Sequence, residues 1–278
     1  MTRATLAQVL QPALAEGYAV AGVVCQGWED ARAYVAAAEA EGLPIVLQAG
    51  PGARAHMPLP VWAAIFHALA DAAAVPVVLH LDHGTTIEEC RQAIALGFTS
   101  VMFDGSRLPL ADNIARTRAI VEMAHAAGVS CEGEIGFVGY HDGAASAGTD
   151  PEEAARFASE TAVDAMAVSI GNVHLQRDRK ARIDRGRLAE IEAVTDTPLV
   201  IHGGSGLSHT LRADLAAHSH ICKFNIGTEL RMAFGAALRK TLGSDPDLFD
   251  RIDILSATEA AIVNEARQVI GGLRPDRP

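Results

Sequence analysis

The chain has 278 residues, 49% of them hydrophobic, with 23 basic and 34 acidic side chains and a net charge of −11. That size and apolar content suit a globular protein with an ample core, while the acidic balance, with no cluster of Lys or Arg, argues against nucleic acid or an anionic membrane as partner. Cys25, Cys90, Cys131 and Cys222 are far apart and form no CxxC pair, which argues against a disulfide framework or thiolate zinc cluster and points to a reducing, cytosolic setting.

In chain order, the first strand-like run is YAVAGVVC (18–25), followed by the helix-periodic EDARAYVAAAEAEG (29–42). PIVLQAG (44–50) and PVVLHLD (76–82) are the second and third runs, and IEECRQAIALG (87–97) is helical and ends at glycine. SVMFDGS (100–106), the long helical LADNIARTRAIVEMAHAAG (110–128) and VSCEGEIG (129–136) come next. A Gly-, Ala- and Ser-rich loop (137–150) is expected to be mobile and to close over substrate, and PEEAARFASETAV (151–163) follows as a helix. DAMAVSIG (164–171), PLVIHGG (198–204) and ICKFNIG (221–227) complete eight strand runs, and residues 247–278 read as one long amphipathic helix with a frayed tail. The N-terminus lacks an uninterrupted apolar signal segment, and no stretch is long and apolar enough for a membrane span.

Eight apolar strands alternating with helices, without a linker, predict a parallel sheet covered by helices, and a (β/α)8 TIM barrel closes it most economically. The expected organisation is one barrel domain over 1–278 with a C-terminal helical extension. A doubly wound open sheet is the alternative, but no glycine-rich phosphate turn follows the first strand.

Polar residues gather at the strand ends, where a barrel places its active site. His80, Asp82 and His83 end the third strand, Asp104 and Ser106 the fourth, and Glu132 and Glu134 lie on the fifth. His174 follows the sixth, His202 ends the seventh and Asn225 lies on the eighth. A lone histidine in an apolar strand is usually a hydrogen-bonded core residue. Three on strands three, six and seven converge on one mouth and suit Zn²⁺ or a neighbouring first-row metal, with a coordination position left for substrate. GGSG (203–206) and the helix opening at NIGTEL (225–230) suit a phosphate, with Gly203, Ser205 and Thr228 as its contacts and Asn225 reaching substrate oxygens. The structural alternative is a tight loop and an ordinary first helical turn.

HLDHG (80–84), FDGS (103–106), EGEIG (132–136), IHGGSGL (201–207) and KFNIGTELR (223–231) resemble, in order, the strand-end motifs of the class II, metal-dependent ketose-phosphate aldolases, particularly the fructose- and tagatose-bisphosphate branch. The resemblance implies a cytoplasmic homodimer or homotetramer that cleaves a ketose phosphate through a metal-stabilised enediolate. It implies His83, His174 and His202 as ligands of Zn²⁺, with Mn²⁺ or Co²⁺ as alternatives, and a monovalent cation nearby. Asp82 would serve as acid/base on the aldehyde-half oxygen, with His80 packing against it or orienting it. Asp104 and Glu132 would support the metal site or a second cation, Glu134 would pair with a basic residue, and Asp142, with His141 beside it, is the nearest acid of the loop. A Schiff base is not expected, since Lys223 lies inside a strand and Lys180 in a polar loop.

Departures from the family pattern cluster where substrate is handled. Val24 and Gly27 stand in place of asparagines, Gly50 of a serine, Leu175 of a glycine and Gly227 of an aspartate or alanine. These changes suggest an unaltered metal centre with a reshaped pocket; the alternative is that other residues reproduce the same contacts and the substrate is the ordinary bisphosphate. A metal-dependent sugar-phosphate epimerase and a catalytically impaired barrel that binds sugar phosphate are the alternative functions, separable by product analysis.

Overall fold

The computed structural model describes residues 2–140 and 143–274. Among them the elements run α1 (Leu6–Glu16), β1 (Val20–Val24), α2 (Trp28–Glu41), β2 (Ile45–Ala49), α3 (Pro51–His56), α4 (Leu59–Ala72), β3 (Val77–Gly84), α5 (Ile87–Ala95), β4 (Ser100–Phe103) and α6 (Leu110–Ala126). They continue with β5 (Ser130–Ile135), α7 (Pro151–Thr161), β6 (Ala165–Val168), α8 (Arg185–Glu192), β7 (Leu199–Ile201), α9 (His209–His218), β8 (Ile221–Ile226), α10 (Thr228–Ser244) and α11 (Arg251–Gly272). The eight strands pair in parallel, each with its sequence neighbours, and β8 closes on β1. This is the expected TIM barrel, and each strand overlaps one of the eight runs read from the sequence.

Local chemistry sets the helix boundaries. Thr5 caps α1 in a reciprocal box with Gln8, and Gly17 ends the helix in the left-handed region, at φ 69°. Thr86, Asp150, Asp184, Ser208 and Asp250 accept backbone N–H bonds at the starts of α5, α7, α8, α9 and α11. The strands are buried on both faces, as the near-continuous apolar runs require.

Two apolar layers leave one polar end. The larger core lies between the strands and the helical ring. A second cluster joins Leu6, Val9, Leu10 and Ala13 of α1 to Val46, Val78, Ala165, Ala167 and Val200 on the strands, so α1 plugs the N-terminal end of the barrel. Along β3 side chains on one face recur every second residue, taking Val78 into that plug, His80 above it and Asp82 to the opposite mouth.

The C-terminal helix expected from the sequence is α11, which packs on α2 and α10; the expected tail at 275–278 lies outside the described residues. Among those described, no helix is long and apolar enough to cross a membrane. The loop expected to be mobile forms a hydrogen-bonded hairpin over its described part: Phe137 and Ala147 exchange backbone bonds at 2.8 Å, and Tyr140 N donates to Ala144 O at 3.0 Å.

Candidate active site

The end of β3 puts Asp82 and His83 into one mouth through a local irregularity. Adjacent strand residues ordinarily point to opposite faces, but the β3–β4 register shifts between Leu81 and Gly84, and His83 sits at φ 50°. Arg54 on α3 braces this turn. Its Nη1 donates to the carbonyls of Ala49 at 2.5 Å and Asp82 at 2.6 Å, and its Nη2 donates to the carbonyl of His83 at 3.1 Å. The buried Asp82 carboxylate is held by side chains from β2 and β8: Oδ1 accepts from Gln48 Nε2 at 3.0 Å and Asn225 Nδ2 at 3.2 Å. Its Oδ2 faces Gly50, where an added Cβ would stand 3.2 Å away. Burial opposes charge on Asp82, but His83 and His202 outweigh it and hold the carboxyl below its ordinary range.

The three histidines meet as the sequence pattern requires. His83, His174 and His202 each offer a ring nitrogen within 4.8 Å of the other two. His83 Nδ1 lies 2.8 Å from Asp104 Oδ2, whose Oδ1 accepts from Ser106 Oγ at 2.6 Å. His202 Nε2 is hydrogen-bonded to Glu132 Oε1 at 3.0 Å. Its other nitrogen, Nδ1, faces Glu134 Oε2 across 3.2 Å, and both atoms are buried without a hydrogen-bond partner among the described residues. Glu134 Oε2 is also 3.7 Å from His83 Nδ1, and His83, Asp104 and Glu134 form a second group with ligand geometry. The donor set of imidazoles flanked by carboxylates, with orphaned atoms turned inward, fits a divalent cation.

Electrostatics separate the imidazoles. Burial works against a charged His202, but Glu134 and the bond to Glu132 raise its pKa to about 10. Burial and the two neighbouring histidines push His174 down to about 3. Burial would also lower His83, yet Asp82 and Asp104 leave it raised. Asp104 is desolvated, but its bond to His83 holds it well below the carboxylate range.

Directly beneath this layer, and above the apolar plug at α1, the barrel interior holds a polar tier. Lys223 Nζ donates to Glu132 Oε2 at 2.6 Å, and both side chains are fully buried. Burial opposes ionisation of Glu132, but Lys223 and His202 keep it well below its usual range. His80 bonds through Nδ1 to Ser100 Oγ at 2.8 Å and lies 3.7 Å from Glu132 Oε2. Burial and Lys223 lower its pKa to about 3.

The phosphate candidates line the same cavity of about 590 Å³, with Val24, Gly50, Asp82, His83, Asp104, His174, Leu175, Gly203, Ser205, Asn225, Gly227, Thr228 and Arg231 among its walls. Ser205 Oγ accepts from the backbone N–H groups of Gly227 and Glu229 at 3.3 and 3.4 Å, tying the 3₁₀ turn Gly204–Gly206 to the start of α10. Gly203 lies at φ 70°, and a Cβ there would stand 2.2 Å from Val173 O. Its glycine character therefore lets the loop carrying His174 approach His202.

Several sequence expectations need correction. His80 makes no hydrogen bond to Asp82; Gln48 and Asn225 orient it. Glu134 faces the histidines, and the basic partner, Lys223, belongs to Glu132, which lies below the cavity wall as a support of His202. Asp142 and His141 lie outside the described residues, so the loop acid has no placement. Arg54, Gln48 and Arg231 were missed because an isolated arginine or glutamine carries no motif signal. Arg231 became accessible to inference only through Gly227: a Cβ at 227 would lie 2.8 Å from its Nη1, so the missing side chain makes room for the guanidinium.

Comparisons with known proteins bear on this site. A family model described as "Fructose-bisphosphate aldolase class-II" matches residues 4–274. The 6-phospho-5-dehydro-2-deoxy-D-gluconate aldolase of Shouchella clausii is 38% identical over 253 residues, covering 88% of this chain and 85% of that one. The fructose-bisphosphate aldolase of Geobacillus stearothermophilus is 34% identical over 279 residues, covering 96% and 97%. The crystal structure of the YdjI aldolase from Escherichia coli K12 superposes with a TM-score of 0.85 at 27% identity, covering 97% of this chain and 96% of that one.

Fold and comparisons thus define an aldehyde-lyase built on a TIM barrel. The chain belongs to the class II fructose-bisphosphate aldolase family and is a metal-dependent aldolase acting on a ketose phosphate.

Proposed function

We propose that His83, His174 and His202 hold a divalent ion, Zn²⁺ in the first place, and that Asp82 is the acid/base of carbon–carbon cleavage. The observation that carries this reading is the convergence of ring nitrogens of all three imidazoles within 4.8 Å of one another, with the His202 Nδ1–Glu134 Oε2 ion pair at 3.2 Å beside them. When bound, the ion supplies a Lewis acid that polarises the ketose carbonyl and stabilises the charge left as the bond breaks. Asp82, ionised and clamped through Oδ1, takes the proton from the hydroxyl that becomes the aldehyde and returns it in condensation. Asp104 and Glu132 fix the planes of His83 and His202, and Asn225 adds a contact to substrate oxygens. Asp142 is the candidate for the remaining proton transfer.

The phosphate is assigned to Gly203, Ser205 and Thr228 at the start of α10, where backbone N–H groups and the helix dipole favour an anion. Arg231 Nη2 bonds to Thr228 Oγ1 at 3.1 Å, so its charge supports the same end of the cavity. A monovalent cation is part of the family reading, and Leu175 at its expected backbone position weakens it here.

The substrate is read as a ketose phosphate bound with fewer polar contacts than the family pattern provides. Val24 packs between the vacancies at Gly50 and Gly227, with Cγ1 3.6 Å from the Gly50 Cβ position and Cβ 3.3 Å from that of Gly227. Fructose 1,6-bisphosphate, tagatose 1,6-bisphosphate and 6-phospho-5-dehydro-2-deoxy-D-gluconate, the substrate in the name of the Shouchella relative, form the assay panel. Two shorter carbonyl products from any of them support the reading. One isomeric sugar indicates an epimerase, and binding without turnover indicates an impaired barrel.

We further read the chain as a single barrel domain with a C-terminal helical extension, cytoplasmic and homo-oligomeric, as a dimer or tetramer. Phe249 and Ile252 around the start of α11 are 90% and 75% exposed, which supports their burial against a second copy.

A further inference from the structure

His174 is held differently from its two neighbours. A carboxylate is hydrogen-bonded to the ring of His83, and another to that of His202. Among the described residues no side-chain hydrogen bond reaches the ring of His174. Besides the edge-on ring of His83 at 5.5 Å and the tilted ring of His202 at 5.8 Å, its neighbour is the ring of Tyr140, stacked at a centroid distance of 4.9 Å and an interplanar angle of 25°.

The main chain fixes the same contact. His174 N donates to Gly139 O at 2.8 Å, and Tyr140 forms a parallel bridge with His174. Tyr140 is itself held by its N–H bond to Ala144 O at 3.0 Å and by Gly143 N donating to its carbonyl at 3.1 Å. The tyrosine lines the cavity and is 43% exposed, so its contact with His174 is not demanded by a surrounding core.

Imidazoles that bind metals are ordinarily oriented by an acceptor on their second nitrogen, and loss of such a partner costs about 10- to 100-fold in metal affinity. An offset aromatic stack fixes a ring plane by a different interaction, of a size that corresponds to about two- to tenfold. We propose that Tyr140 is the positioning residue of His174, doing by stacking what Asp104 and Glu132 do by hydrogen bonding. This rests on the reading of the three histidines as ligands.

The test uses Co²⁺ as the probe, with affinity measured by competition against a chromophoric chelator and the ligand field read from the visible spectrum. Tyr140→Phe keeps the ring and is expected to bind Co²⁺ within twofold of the unmodified chain, with the same spectrum. Tyr140→Ala is expected to bind about tenfold more weakly, with a changed spectrum. In a His174→Ala background, the further change Tyr140→Ala is expected to have no effect on affinity. Unchanged affinity and spectrum in Tyr140→Ala would overturn the proposal while leaving the ligand reading intact, as would equal weakening in Tyr140→Phe or an undiminished effect in the His174→Ala background. Absence of Co²⁺ binding by the unmodified chain would overturn the ligand reading together with the proposal.

Discussion

The guanidinium of Arg54 donates to the carbonyl oxygen of Asp82 at 2.6 Å, although 28 residues separate them in sequence. With its bonds to Ala49 and His83, this one side chain ties the end of β2 to the end of β3 and holds His83 in the left-handed region. Arg54→Met should leave three carbonyls short of a donor, lowering stability by about 2–4 kcal/mol. It should also lower kcat more than it raises KM, because Asp82 and His83 lose their common support. Denaturant titration and steady-state kinetics check both effects.

Asp82→Asn keeps the shape of the side chain and removes its basicity. If Asp82 moves the proton, kcat should fall by about 10²- to 10⁴-fold while metal content stays near that of the unmodified chain. Metal analysis and kinetics on the same preparation separate loss of acid/base chemistry from loss of the metal centre.

The strand ends were readable in the sequence because barrel chemistry repeats a simple rule: an apolar run that stops at a polar residue. HLDHG, IHGG and KFNIG each obey it, and the structure brings His83, His174, Asp82, Asn225 and Ser205 to one cavity, with the buried His202 against the other two imidazoles. What escaped depended on contacts between distant segments. Nothing in PGARAH announces that Arg54 reaches the backbone of β3, and nothing in GEIG says which of Glu132 and Glu134 meets Lys223. The positive φ of His83 was equally hidden, since the register shift that accompanies it belongs to the pairing of two strands.

In the metal-free protein, stability should be greatest over an intermediate pH range. His202 has its folded pKa raised from 6.5 to about 10, so its contribution is fully present below about 6.5 and is lost as pH rises through about 10. Glu132 is depressed below its ordinary 4.5, so its contribution is present above that value and is lost as pH falls through the lower folded value. Thermal unfolding across pH after chelation checks both limbs. Metal uptake near neutral pH should release a proton from His202, which calorimetry in buffers of different ionisation enthalpy measures directly.

Val24→Asn with Gly50→Ser should restore polar contacts beside Asp82. On fructose 1,6-bisphosphate the pair is expected to raise kcat/KM by about tenfold, the effect of one or two added hydrogen bonds. A ratio of kcat/KM values between the bisphosphates and 6-phospho-5-dehydro-2-deoxy-D-gluconate that does not move would show that these positions do not set substrate choice.

Metal content measured together with cleavage, before chelation, after it and after Zn²⁺ is restored, tests the central claim most directly. The account predicts a stoichiometric divalent ion, loss of carbonyl-product release when it is stripped, recovery when it returns, and loss of the ion in His202→Ala. Cleavage that persists in protein shown to be metal-free, or an unchanged metal content in His202→Ala, would contradict it.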